Sequence, residues 1–258
     1  MTAAVDQLLQ NPAIWRIGQA GLAPVRAGIG SGFAQLDNEL PDRGWPVGAL
    51  TELLCDEEGI GELSLLSPAL RRLTHEGRGI VLIAPARLPF ARAWEARGIK
   101  LEQLMIVEAQ GNELVWCADQ ALRSGSCGMV IVWGQGVALD YSTLRRFQLA
   151  AETGNTACVL YRALRAQASP SAAPLRIALS AGAGELVARI VKRRGMTRSA
   201  SIRLGVFPSH WDRQYSETVC RSGTQCPTSD AGRETSGTRT CPTYAAAHPL
   251  RLLRPVSH

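Results

Sequence analysis

The chain has 258 residues, 46% of them apolar, and a formal net charge of +6. That length suits a core domain of roughly 200 residues followed by a tail. No stretch approaches about 18 consecutive apolar residues, so no membrane span is expected. The first ten residues carry Asp6 and no Lys or Arg, which does not fit a secretory signal. Of the seven cysteines, Cys55, Cys117, Cys127 and Cys158 fall in apolar or helical stretches, where buried free thiols are common. Cys220, Cys226 and Cys241 lie in the tail without a CxxC or an adjacent His. A zinc site needs tighter spacing. The expectation is a reduced, cytoplasmic protein without a metal.

The charge is unevenly spread. Residues 1–191 carry 17 basic and 18 acidic side chains, and residues 192–258 carry 11 and 4. The basic character therefore belongs to the C-terminal quarter. It fits contact with nucleic acid or an acidic partner, and equally a solvated tail.

In chain order, residues 3–18 form an amphipathic start with Val5, Leu8, Leu9, Ile14, Trp15 and Ile17, interrupted at Asn11-Pro12. Residues 18–48 read as a Gly- and Pro-rich connection around a short helix near 33–39. An alternation follows. Strands are expected at 49–54, 79–84, 104–107, 129–133 and 156–161, and helices at 61–76, 89–97, 113–123 and 141–152. Continuous apolar strands between amphipathic helices imply a parallel sheet covered on both faces. With right-handed crossovers this gives a doubly wound α/β domain. Residues 163–173 read as a loop. The runs 175–179 and 186–191, around the glycine turn at 180–184, predict an antiparallel edge hairpin. From 209 to 243 hardly a Leu, Ile or Val occurs, so this stretch cannot offset its ordering entropy and is expected to be disordered.

The first strand runs into Cys55-Asp-Glu-Glu-Gly-Ile-Gly-Glu-Leu-Ser64 and then a helix. This is where a nucleotide-binding α/β domain carries GxxxxGK[ST], whose backbone N–H groups and helix N-terminus hold phosphates. Gly59 and Gly61 keep the shape of that loop. Glu62 stands where the Lys belongs, Leu63 where the Mg²⁺-binding hydroxyl belongs, and Asp56, Glu57 and Glu58 add further negative charge. At ~4–6 Å and an effective dielectric near ~20, each repulsive pair with a phosphate costs roughly 3–4 kcal/mol. A helix N-terminus returns only about 0.3–1 kcal/mol at an exposed site. Two other slots fail as well. The strand at 129–132 ends in Trp133-Gly134 where a metal-holding Asp is usual, and Ile83 is followed by Ala84-Pro-Ala-Arg87 where a catalytic Glu is usual. The loop is expected to reject ATP, and no cofactor and no enzymatic activity are expected. His75, His210, His248 and His258 meet no nucleophile or carboxylate at a catalytic spacing.

The run Gly30-Ser-Gly-Phe-Ala-Gln-Leu-Asp37, then Leu40-Pro, then Gly44-Trp-Pro-Val-Gly-Ala-Leu-Thr-Glu52, resembles the opening of the RecA ATPase core. It is closer still to the ImuA family of SOS mutagenesis proteins, which are RecA-like and related to the division inhibitor SulA. Ile14-Trp-Arg16 and Val191-Lys-Arg-Arg-Gly195 share the resemblance, which covers about residues 8–207. It implies a degenerate RecA-like core at 25–207, after an N-terminal amphipathic segment at 1–24 and before a disordered basic tail at 208–258. It also implies a non-catalytic role in translesion synthesis. The partners would be an ImuB-like Y-family polymerase homologue, RecA and, indirectly, an error-prone replicative-type polymerase subunit. The alternatives are a SulA-like inhibitor that binds FtsZ, and an atypical RecA-like ATPase.

Leu8, Leu9, Trp15 and Trp45 are the candidate partner contacts, since Trp is enriched at binding hot spots. Each Trp could equally pack a loop onto its own domain. Lys192, Arg193, Arg194 and Arg198 could follow a nucleic-acid backbone. The other reading of that cluster is charge that protects an edge strand from pairing.

Overall fold

In a computed structural model the description covers residues 28–57, 59–182, 184–193 and 201–206, and the backbone of 251–253. Strand β1, Leu50–Leu54, is buried along its whole length and lies in the middle of the sheet. The other strands are β2 Gly79–Ile83, β3 Leu104–Val107, β4 Cys127–Trp133, β5 Ala157–Arg162, β6 Leu175–Ala181, β7 Leu186–Lys192, β8 Ser201–Leu204 and β9 Arg251–Leu253. Their order is β8-β7-β6-β1-β5-β4-β2-β3-β9. Pairing is parallel from β6 through β9, while β6–β7 and β7–β8 are antiparallel. The fold is therefore mixed α/β, with a mostly parallel sheet and the expected antiparallel hairpin.

Alternation along the strands assigns each side chain to a layer. Met129, Ile131 and Trp133 of β4 face one layer, and Val130 and Val132 face the other. The first layer is covered by α1 (Ala34–Asp37), α2 (Glu62–His75) and α3 (Ala91–Ala96), through Leu36, Leu66, Leu70 and Trp94. The second is covered by α4 (Gly111–Arg123) and α5 (Tyr141–Gly154), through Leu114, Ala118, Leu144 and Phe147. Asp119 ties α4 to α5, accepting hydrogen bonds from Arg123 at 3.1 Å and Arg146 at 3.0 Å. The hydrogen bond from Arg146, ahead of the contribution of Arg123, holds its carboxyl below the usual range.

Two sequence expectations are corrected. The loop at 163–173 contains a 3-10 turn, Leu164–Ala168, which lays Ala166 against Leu54 and Ala178. The tail expected to lack structure supplies a strand at its end, where Arg251–Leu253 pairs in parallel with Met105–Val107. The rest of that tail and the N-terminal segment lie outside the described residues. Strand β8 was not anticipated either. Its alternation of exposed and buried residues places Ile202 and Leu204 in the first layer.

One polar cluster sits inside the sheet. Glu52 of β1 is fully buried and shared by two arginines. Arg176, opposite it in register on β6, donates through Nε to Oε2, and Arg162 of β5 donates through Nη1 to Oε1 at 2.9 Å. Arg176 also donates to the carbonyls of Ala166, Gln167 and Ser169. Arg162 donates to the carbonyl of Leu139. The cluster thus anchors the 3-10 turn and the 134–140 loop onto three strands. Removing one partner of a buried ion pair strands the remaining charge, at a cost of about 3–5 kcal/mol. Glu52→Gln is expected to lower unfolding stability by about 3 kcal/mol, read as a shift of the urea midpoint with an unchanged slope.

Candidate functional site

The loop from β1 to α2 lies at the carboxyl edge of the sheet, where ligands of α/β domains bind. Gly59, at φ 77°, and Gly61, at φ 94°, both take the left-handed conformation that glycine adopts without strain. They turn the chain so that Gly61 caps α2 and Glu62 opens its first turn. The Glu62 side chain folds back over the loop, and its Oε1 accepts the N–H of Gly59 at 3.3 Å. This backbone donor is therefore used by the protein's own carboxylate. The second carboxylate oxygen, Oε2, is buried and has no hydrogen-bond partner among the described residues. Asp56 Oδ1 accepts the N–H of Leu164 at 2.8 Å, so this carboxylate holds the loop to the start of the 3-10 turn.

Beneath the loop the last residue of β4 and the penultimate residue of β5 form an aromatic pair. Trp133 stacks on Tyr161 with centroids 5.2 Å apart and an interplanar angle of 24°. The Tyr161 hydroxyl donates to the Glu62 carbonyl at 2.9 Å. Burial, then the nearby charge of Glu62 and the thiol of Cys55, push its phenol well above the usual range. It therefore remains a neutral donor. Ile60 and Cys55 are also buried, in the same core layer as the ring pair. Leu63 packs against that layer, so the position of a metal-binding hydroxyl belongs to the core.

Ala84 and Trp133, at the two other positions compared with an ATPase in the sequence, line a neighbouring cleft of about 1020 Å³. It opens where the chain leaves adjacent strands β2 and β4 toward opposite faces, a topological switch point. Arg87, Glu108, Gln110, Glu113, Trp133 and Gln135 contribute to its wall. Ala84, in the catalytic Glu slot, sits at φ 50° while donating its N–H to Val107. That conformation costs a non-glycine residue about 1–2 kcal/mol. Trp133 belongs to both the cleft and the ring pair, and thus stands between the cleft and the phosphate-loop position.

The other candidates separate. Trp45 is 1% exposed and pairs backbone to backbone with Ile29, at 2.9 and 2.7 Å. It packs the 28–48 connection onto the core and is no surface anchor. Arg193 donates to the carbonyl and carboxylate of Glu39, which ties the end of β7 to the segment following α1. Lys192 donates to the Ser171 carbonyl at 2.9 Å while remaining exposed. Arg193 is thus spent within the domain rather than presented to a phosphate backbone. Leu8, Leu9, Trp15, Arg194 and Arg198 lie outside the described residues. Among the described residues no group of His, Cys, Asp and Glu could hold a metal ion. Cys55, Cys117, Cys127 and Cys158 are free, and burial pushes the Cys158 thiol far up. No helix among the described residues is long and apolar enough to cross a membrane.

Sequence reasoning found the wrong sign of charge in the loop but missed the ring pair beneath it. Its signal was an aromatic at the carboxyl end of each of two buried strands, Trp133 and Tyr161.

No family model matches the chain. It is similar to the cell division inhibitor SulA of Edwardsiella piscicida, 28% identical over 119 residues, which span 46% of this chain and 70% of that protein.

Tyr161→Phe removes one hydrogen bond at constant ring packing and leaves the Glu62 carbonyl without this donor. It is expected to cost about 1 kcal/mol, measured by urea unfolding.

Proposed function

We propose that the chain is a non-catalytic, RecA-like accessory protein of the SOS response, acting in translesion DNA synthesis by binding other proteins. One observation carries this reading: the Glu62 carboxylate takes the Gly59 N–H at the position where a nucleotide phosphate would dock. Such a loop supplies an ATPase with neither a charge-neutralising Lys nor a metal-binding hydroxyl. The strand order, with β1 between β5 and β6 and β4 between β5 and β2, supports descent from a RecA-like core. The ImuA-like opening at residues 30–52 supports the pathway. The partners are then an ImuB-like Y-family polymerase homologue and RecA, with an error-prone replicative-type polymerase subunit engaged indirectly.

The similarity to SulA favours a second reading, inhibition of cell division through FtsZ. Both readings keep the protein non-catalytic and differ only in what it binds.

Co-purification of the full chain with each candidate separates them. Retention of the ImuB homologue and RecA, with FtsZ passing through, is the expected result. Retention of FtsZ alone would transfer the function to division control.

A further inference from the structure

We propose that the pocket between the 134–140 loop and the start of the 3-10 turn is a docking site for an acidic protein segment, one that offers a carboxylate flanked by aliphatic side chains. It measures about 440 Å³ and includes Asp140, Arg162 and Arg165 in its lining. It adjoins the internal charge cluster but takes no part in the phosphate-loop position.

Glu52 is one carboxylate between two guanidiniums, both in residues less than 10% exposed, so the buried cluster carries an excess of one positive charge. Arg176 is enclosed by three carbonyls besides Glu52. Arg162 is the member of the cluster that reaches the pocket wall. A buried charge in excess of its counterions is unfavourable, and an incoming anion offsets it. Arg165 adds a second guanidinium, exposed and without an ion pair among the described residues. A planar guanidinium suits a carboxylate, which it can grip with two parallel hydrogen bonds.

The surroundings select a protein segment over a nucleic acid. Val137, Ala138 and Ala163 line the pocket and offer apolar contact beside the arginines. Asp140 also lines the pocket. Hydrogen bonds from Thr143 and then Ser142 hold its carboxyl below the usual range, so it stays ionised. A fixed negative charge there opposes a phosphodiester backbone but tolerates a single carboxylate placed on the arginine side. Residues 1–191, with 17 basic and 18 acidic side chains, supply no broad positive field to draw in a polyanion.

This site rests on the protein-binding reading only in requiring a protein partner, and its assay involves neither nucleotide nor any SOS protein. The probe is a fluorescein-labelled octapeptide of Leu and Ser with a single central Asp, titrated into the full chain and followed by anisotropy. The comparison peptide carries Asn in place of Asp. Saturable binding of the Asp peptide is expected, weakened at least about tenfold in the Asn peptide and in Arg165→Glu, and restored in Arg165→Lys. Arg203→Glu, on the distant edge strand β8, should leave it unchanged. Four results would overturn the proposal: no binding, equal binding of the two peptides, an equal loss in Arg203→Glu, or displacement of the peptide by oligo-dT.

Discussion

The loop between β1 and α2 is closed by one hydrogen bond, from the Gly59 N–H to the Glu62 carboxylate. A phosphate loop works because its backbone donors are unsatisfied until the ligand arrives. Here the first side chain of α2 takes the Gly59 donor internally, with a negative charge. The acidic first turn also suits the helix macrodipole. Glu62 therefore fits the helix it sits in. Tyr161 completes the arrangement from below by holding the Glu62 carbonyl.

The central strand β1 keeps parallel neighbours on both sides, and helices cover both faces. The internal cluster of Glu52, Arg162 and Arg176 fastens β1, β5 and β6 to the loops above them without any ligand. A switch protein uses nucleotide to order such loops. In this chain buried ion pairs and the Trp133–Tyr161 stack hold the elements of this edge together.

The sheet was legible because its strands are buried on both faces and read as unbroken apolar runs, such as Gly79–Ile83 and Leu104–Val107. The hairpin was legible from its glycine turn. Beginnings were harder: β4 starts at Cys127, two residues earlier than the apolar run suggested, because Cys127 and Gly128 do not announce a strand. Strands β8 and β9 exist through pairing with distant edges, and their short stretches carry weak local signals. The 3-10 turn at Leu164–Ala168 was hidden in a stretch rich in Ala, Ser and Pro. At the site, charge type could be read from position along the chain, but side-chain direction could not. Glu52 meets partners 110 and 124 residues away, beyond any local pattern. Trp45 and Arg193 looked like surface contacts and proved to be internal fastenings.

The claim beneath this account is that the loop of Gly59, Gly61 and Glu62 has exchanged a phosphate for a carboxylate of its own. Isothermal titration of the purified full chain with ATP and Mg²⁺ tests it most directly. No saturable heat up to millimolar nucleotide is the result the account requires. Magnesium-dependent binding in the micromolar range would contradict it and restore a nucleotide switch or motor.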